Sequence, residues 1–233
     1  IDENKNIQKV SLSFYGNYAG TNWLGIDKFA EHYKAPLADA TIDSVSVYFA
    51  STSTINPDAE IPMSINKVSA SGQPGDVLAT TSVRAGDLKY DADSVVATIF
   101  HFAEPVEIKK GEEFFVVIGP FPNGSLETSP YTSDDIAIYC LRRPVGSRST
   151  VWQYLEDQDD SGVGLGTYQW LENVDDPTSM AIAPVISYDK PASTGISNIT
   201  SSTGTEKKVV AVYSVSGQRT NSISDRGVYI VKF

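Results

Sequence analysis

Apolar and polar residues alternate along short stretches of this chain, and turn-forming residues punctuate the stretches. Val45, Val47 and Phe49 alternate with Ser44, Ser46 and Tyr48, which sends one face of an extended strand into a core and the other toward water or a second layer. Val10, Leu12 and Phe14 repeat the pattern. Further strands are expected over 61–68, 77–84, 95–102, 113–118, 136–141 and 180–188. Ser71-Gly72-Gln73-Pro74-Gly75, Lys109-Lys110-Gly111 and Pro122-Asn123-Gly124 supply the positive or fixed φ that strand reversals need. Helical periodicity is scarce. Its one candidate is a turn or two around 26–33, where Asp27 would cap and Phe29 and Tyr33 lie four apart on one face. No internal repeat is visible, and the pattern as a whole predicts an all-β sandwich or barrel.

The pattern changes after Tyr188. Residues 189–205 are rich in Ser, Thr and Gly and read as a linker; after them Val209, Val210, Val212 and Val215, a Ser216-Gly217 turn and Gly227-Val228-Tyr229-Ile230-Val231 predict a β-hairpin. The expected organisation is therefore a sandwich over 1–188, a linker over 189–205 and a hairpin unit over 206–233. Charge follows the same boundary: residues 206–233 carry net +3 and residues 1–205 carry −14, within a total of −11. Such a surface repels duplex nucleic acid and anionic membrane, so neither is an expected partner. With 41% hydrophobic residues the 233-residue chain has ample material for a core, and its apolar runs are far shorter than a membrane span. The single cysteine, Cys140, excludes an internal disulfide and a cysteine-based zinc cluster. Ile1 is not an initiator, which is expected if a signal peptide has been removed or if the sequence has been trimmed.

Val212-Tyr213-Ser214-Val215-Ser216-Gly217-Gln218-Arg219 followed by Arg226-Gly227-Val228-Tyr229-Ile230-Val231-Lys232 resembles the C-terminal sorting domain of the type IX (Por) secretion system. That resemblance implies export through that machinery to the surface or surroundings of a Bacteroidetes-type bacterium. The body resembles the jelly-roll modules of secreted bacterial peptidases, glycosidases and adhesins. The residues that carry this are Gly20-Thr21-Asn22, Ala30-Glu31-His32-Tyr33, Ile42 to Phe49, Gly75-Asp76-Val77-Leu78, Phe100 to Phe115 and the Pro105-Val106-Glu107-Ile108-Lys109-Lys110-Gly111 segment. Together with the strand pattern this gives the expected fold: all-β, a jelly-roll-like β-sandwich of about eight or more antiparallel strands, followed by a small C-terminal β-hairpin unit. Such modules are usually non-catalytic, and the resemblance supplies no catalytic residue.

The residues themselves offer little catalytic chemistry. There is no Gly-x-Ser-x-Gly elbow. Cys140 runs in phase with Ile136 and Ile138, as a small buried hydrophobe would, and His101 faces away from Phe100 and Phe102, which leaves a His101 and Cys140 dyad dependent on spatial proximity alone. A glycosidase needs two carboxyls facing each other across a cleft, whereas Asp134-Asp135, Glu112-Glu113 and Asp175-Asp176 read as solvated loop acids. Asp157, Asp159, Ser161 and Gly162 occupy positions one, three, five and six of an EF-hand-like loop, so calcium is a candidate cofactor, although Tyr168 stands where a bidentate Glu belongs. Asp175 or Asp176 could complete such a site, and a plain Asp/Gly loop is the competing reading.

Aromatic residues flank that acidic loop: Trp152 and Tyr154 before it, Tyr168 and Trp170 after it, with Trp23 as a third indole. Sugar rings stack on exposed aromatics while nearby Asp, Asn and Gln bond their hydroxyls, so these five residues are the candidate ligand site; ordinary core packing is the alternative. The expected function is a secreted or cell-surface, non-catalytic binding or adhesion module for an extracellular glycan or protein, with no cofactor required. The competing expectation is an accessory or catalytic domain of a secreted hydrolase that uses loop carboxylates.

Overall fold

The computed structural model describes residues 7–10, 16–22, 24–122, 134–144, 146–158, 164–174 and 177–188, together with the backbone of 211–214, 219–220 and 229–232. In chain order the strands are β1 (Ile7–Gln8), β2 (Ile26–Tyr33), β3 (Ala40–Val47), β4 (Phe49–Ser53), β5 (Glu60–Val68), β6 (Pro74–Arg84), β7 (Thr98–Ile108), β8 (Phe114–Ile118) and β9 (Asp135–Ile138). They continue with β10 (Cys140–Arg142), β11 (Val151–Gln158), β12 (Gly164–Glu172), β13 (Thr178–Met180), β14 (Ile182–Tyr188), β15 (Ala211–Ser214), β16 (Arg219–Thr220) and β17 (Tyr229–Lys232). One 3-10 turn, Ala85–Asp87, is the only helical element among the described residues. The protein is an all-β, antiparallel β-sandwich, as the alternating pattern predicts.

One layer is a six-stranded sheet in the order β12-β11-β2-β8-β5-β6. The facing layer is built from β14-β3-β7, β4-β9 and β1-β10-β13. These three pieces meet at one point. Tyr48 separates β3 from β4, Tyr139 separates β9 from β10, and Ala181 separates β13 from β14. There the Tyr48 N–H donates to Ala181 O (3.0 Å), the Ala181 N–H to Tyr139 O (2.8 Å) and the Tyr139 N–H to Tyr48 O (3.0 Å). This closed triangle of backbone bonds lets three long strands bend and exchange partners without leaving a buried amide unpaired. Sequence alternation expects single strands over 136–141 and 180–188; each is broken at this junction.

Between the layers lies one core. Phe29, Ile61, Met63, Ile65, Val116 and Ile118 enter it from the six-stranded sheet; Val45, Val47, Phe49, Phe100, Ile136, Ile138 and Cys140 enter from the other side. Strand β8 shows why the six-stranded sheet matters. All five of its residues are buried, but Phe114, Val116 and Ile118 join the main core while Phe115 and Val117 join a second, smaller cluster on the sheet's opposite face. A strand covered on both sides reads as a continuous apolar run.

Residues 26–33 are a strand, not a helix. The run sits centrally between β11 and β8, with Phe29 in the main core, Ala30 in the outer cluster and Glu31 buried as well. Burial on both faces erases the two-residue period, and the spacing of Ile26, Phe29, Ala30 and Tyr33 then coincides with that of a helix. The 16–22 loop is held to β9 by buried polar side chains: Asn17 Nδ2 donates to Asp135 Oδ1 (2.8 Å), and the Ile136 N–H to Thr21 Oγ1 (3.2 Å). Gly20 is required there, since its φ is +135° and a Cβ would lie 2.0 Å from Ile136 O.

The chain divides into two compact units, Ile1–Asp189 and Lys190–Phe233. In the second unit the described strands form an antiparallel sheet in the order β16-β15-β17. The strand expected around Leu12 and Phe14, the turn at Asn123-Gly124 and the linker over 189–205 lie outside the described residues.

Candidate functional site

Four of the five candidate aromatic residues come together on the outer face of the six-stranded sheet. Strands β11 and β12 form a hairpin in which Tyr154 lies opposite Trp170 and Trp152 opposite Glu172. On the other side of β11, Tyr154 faces Lys28 and Trp152 faces Ala30 of β2. Because side chains alternate along each strand, Trp152, Tyr154, Tyr168 and Trp170 all project from the face opposite the main core. The Tyr154 ring is 5.3 Å from Tyr168 and 5.0 Å from Trp170, and Lys28 Nζ lies 5.2 Å from the Tyr154 ring centre. Trp152 meets Phe115 edge to face at 5.9 Å, and Phe115 stacks on His32 at 4.6 Å. Each such contact contributes about 0.5–1.5 kcal/mol beyond area burial, so the band is partly self-supporting.

Neither core packing nor free exposure alone describes these residues. Trp152 and Trp170 are half-buried against Ala30, Phe115 and Val117, whereas Tyr168 is 42% exposed. One side of each indole is fixed and the other remains available. Trp23 lies outside the described residues.

The face is hollow. The turn between β5 and β6 is closed by Ser69 N–H to Gln73 O (2.8 Å) and Gly72 N–H to Ser69 O (2.9 Å), and Gln73 Nε2 donates to Trp170 O at 3.3 Å. Strands β8, β2 and β11 separate β5 from β12, a distance of about 19 Å on a flat sheet at ~4.8 Å per strand. The hydrogen bond therefore requires the sheet to curl, bringing the β5–β6 turn across its outer face as a strap. Two clefts result. The first, of about 330 Å³, is lined by Tyr154, Trp170, Lys28, Ser64, Asn66 and Val117, among others. The second, of about 460 Å³, is lined by Trp152, His32, Lys34, Arg143, Arg148 and Glu172, with Ser71 and Gly72 of the strap. An aromatic wall facing hydroxyl, amide and ammonium groups is the composition of a site that orients a polar ligand through a few hydrogen bonds.

Asp157 points away from this band. It lies on the other side of the hairpin, where its carboxylate accepts from Thr167 Oγ1 (2.8 Å) and Gln169 Nε2 (2.6 Å). Asp159, Ser161, Asp175 and Asp176 lie outside the described residues. Among the described residues no group of three or more His, Cys, Asp or Glu is placed to hold a metal ion.

Other acids differ from expectation. Asp134 is buried, accepting from Thr54 Oγ1 and the Ile55 N–H. Asp135 is ion-paired with Lys9 at 2.7 Å; burial pushes its pKa up, but hydrogen bonds from Asn17, Lys9 and Ser51 outweigh that and hold it below the usual value. Asp134 is therefore not the solvated loop acid expected, whereas Asp135, at the start of β9, stays about half exposed. His101 is exposed on β7 and Cys140 is buried in the core, so the two form no dyad.

Glu31 is the titratable residue that pattern reading misses. It is 4% exposed and faces the interior of the sandwich. Its Oε1 accepts from Thr150 Oγ1 and its Oε2 from the Met180 N–H at 2.8 Å, while Thr150 Oγ1 also lies 2.8 Å from Ser179 Oγ. Burial raises its pKa to about 7 against the opposing pull of these bonds and of Arg143. His32, on the outward side of the same strand, has its pKa lowered by burial, partly offset by Glu113 at 2.8 Å. Lys28, Ser64 and Asn66 also escape a reading centred on aromatics. Alternation along β5 carries the missing signal, since burying Ile61, Met63 and Ile65 turns Ser64 and Asn66 to the outer face.

Comparison with protein-family models, with curated proteins and with solved structures finds no match to this chain.

Proposed function

We infer that the protein is a secreted or cell-surface, non-catalytic binding module that recognises an extracellular saccharide on the hollow face of its six-stranded sheet. The carrying observation is the convergence of Trp152, Tyr154, Tyr168 and Trp170 on that face, beside a cleft bearing Lys28, Ser64 and Asn66. Half-buried rings are held rigid and offer flat apolar surface to the C–H faces of a pyranose, while the amide and hydroxyl groups meet its hydroxyls. A rigid platform binds with little loss of side-chain freedom.

Extracellular placement draws on the resemblance of the C-terminal segments to a type IX sorting domain, with the secretion machinery as the partner of that tail. Strands β15, β16 and β17 fall on residues that carry this resemblance. The hydrolase alternative draws on the raised pKa of Glu31, but the groups acting on that carboxyl are Thr150, Met180, Arg143 and Ser179, with no second carboxylate among them. The binding reading is the better supported of the two.

A screen of immobilised oligosaccharides with the full chain tests the proposal. The expected result is retention of at least one saccharide, lost in Trp170→Ala and Tyr154→Ala while both variants keep the wild-type circular dichroism spectrum. Binding unchanged in both variants, or binding only to proteins, contradicts it.

A further inference from the structure

The second cleft has a different chemistry from the first. In a chain of net charge −11, His32, Lys34, Arg143 and Arg148 converge on one cavity of about 460 Å³ whose wall is Trp152. Of the three cations Lys34, Arg143 and Arg148, two have part-buried carboxylate partners. Arg148 Nη2 is 3.1 Å from Glu172 Oε2, and Lys34 Nζ is 3.1 Å from Glu113 Oε1. Both basic side chains are more than four-fifths exposed, at 83% and 84%, so these pairs are weak and exchange readily with a ligand. Arg143 has no carboxylate within 4 Å among the described residues. Its Nη1 donates to Ser179 Oγ at 2.9 Å, and its Nε is buried without an acceptor. Its guanidinium is thus held at one terminal nitrogen, and among the described residues no short ion pair matches its charge.

A guanidinium fork fits the two oxygens of a carboxylate, and charge-assisted bonds of this kind are roughly twice as strong as neutral ones. The Trp152 ring beside the fork favours a ligand that carries its carboxylate on a ring. The first cleft continues on the far side of the Gln73–Trp170 contact, which favours a chain of such rings over an isolated anion. We propose that this cleft is an acidic-sugar subsite: Arg143 and Arg148 hold the carboxylate of a uronic-acid residue against Trp152, while the Tyr154 and Trp170 cleft holds a neighbouring residue of the same chain. The subsite rests on the saccharide reading of this face and gives it a substrate class, acidic polysaccharide.

Calorimetric titration of the full chain tests it, with galacturonate and glucuronate oligosaccharides, their carboxyl-reduced counterparts, and a tetraglutamate peptide as probes. At least one uronic oligosaccharide is expected to bind about tenfold more tightly than its reduced form, the scale of one charge-assisted pair, and to weaken as salt is raised. Arg148→Gln, at an exposed position, is expected to remove that preference. Glu172→Gln is expected to strengthen acidic binding several-fold, because it frees Arg148 from its present partner; a merely structural role for Glu172 would not produce a gain. Equal affinity for acidic and reduced forms, or an Arg148→Gln variant that keeps the preference, overturns the subsite and leaves the saccharide reading standing. Binding of no probe overturns the subsite and leaves the saccharide reading to the wider screen; binding of the peptide alone overturns both.

Discussion

Glu31 sets the pH behaviour of the fold. Its carboxyl titrates near 4.5 when free and near 7 in the sandwich, so between those values the folded state keeps a proton that the unfolded state has lost. Stability therefore falls as pH rises from about 4.5 to about 7 and stays reduced above that range, by about 3 kcal/mol, since each tenfold difference in proton affinity is worth ~1.4 kcal/mol. His32 acts in the opposite sense, since burial lowers its pKa and the unfolded state then binds the extra proton near pH 6.5. The difference between the wild type and Glu31→Gln isolates the carboxyl. The variant's melting temperature is expected to gain on the wild type from about pH 4.5 to about pH 7 and to keep a constant lead above that, and a difference that does not change with pH contradicts this assignment. At the level of single residues, what was legible was whatever alternation controls: Cys140 inside and His101 outside. Glu31 was not legible, because its cost is offset by Thr150, Ser179 and the Met180 amide, all more than a hundred positions away.

The elements that escaped the sequence are those whose surroundings are two-sided. Strand β2 lost its alternation because Phe29 and Ala30 are both buried, on opposite faces, so a central strand presented itself as a helical turn. The β11–β12 hairpin was visible only as two aromatic flanks of an acidic loop, although its cross-strand pairs Trp152–Glu172 and Tyr154–Trp170 create the candidate site. The three-way junction could not be read at all, since it consists of backbone groups of Tyr48, Tyr139 and Ala181 that share no side-chain signature. Its energetic role can be measured. Ala181→Pro removes the N–H that bonds Tyr139 O and leaves that carbonyl unpaired, at a cost of about 1–3 kcal/mol for a buried group. Chemical denaturation should register at least that loss, and an unaffected midpoint would show that the triangle does not hold the second layer together.

At the scale of the molecule, the buried core residues among those described run from Tyr18 to Ile182, in the first compact unit. A chain ending at Asp189 is accordingly expected to melt at the temperature of the full protein, while failing to leave a host cell that carries the type IX machinery. A markedly lower melting temperature would show that the tail belongs to the fold, and undiminished export would show that it is no address. The acidic surplus belongs to the same body, which carries −14 over residues 1–205, so the cations around Trp152 are a local exception within it. Saccharide binding on the aromatic band of the curled sheet, as proposed, can be read directly from the indole groups. The chain's three tryptophans give three indole N–H resonances, assignable through Trp→Phe variants, and titrating labelled protein with an oligosaccharide retained in the screen reads them directly. The Trp170 and Trp152 indole signals are expected to move together and saturably; signals that stay fixed, or a shift confined to Trp23, would contradict saccharide binding on this face.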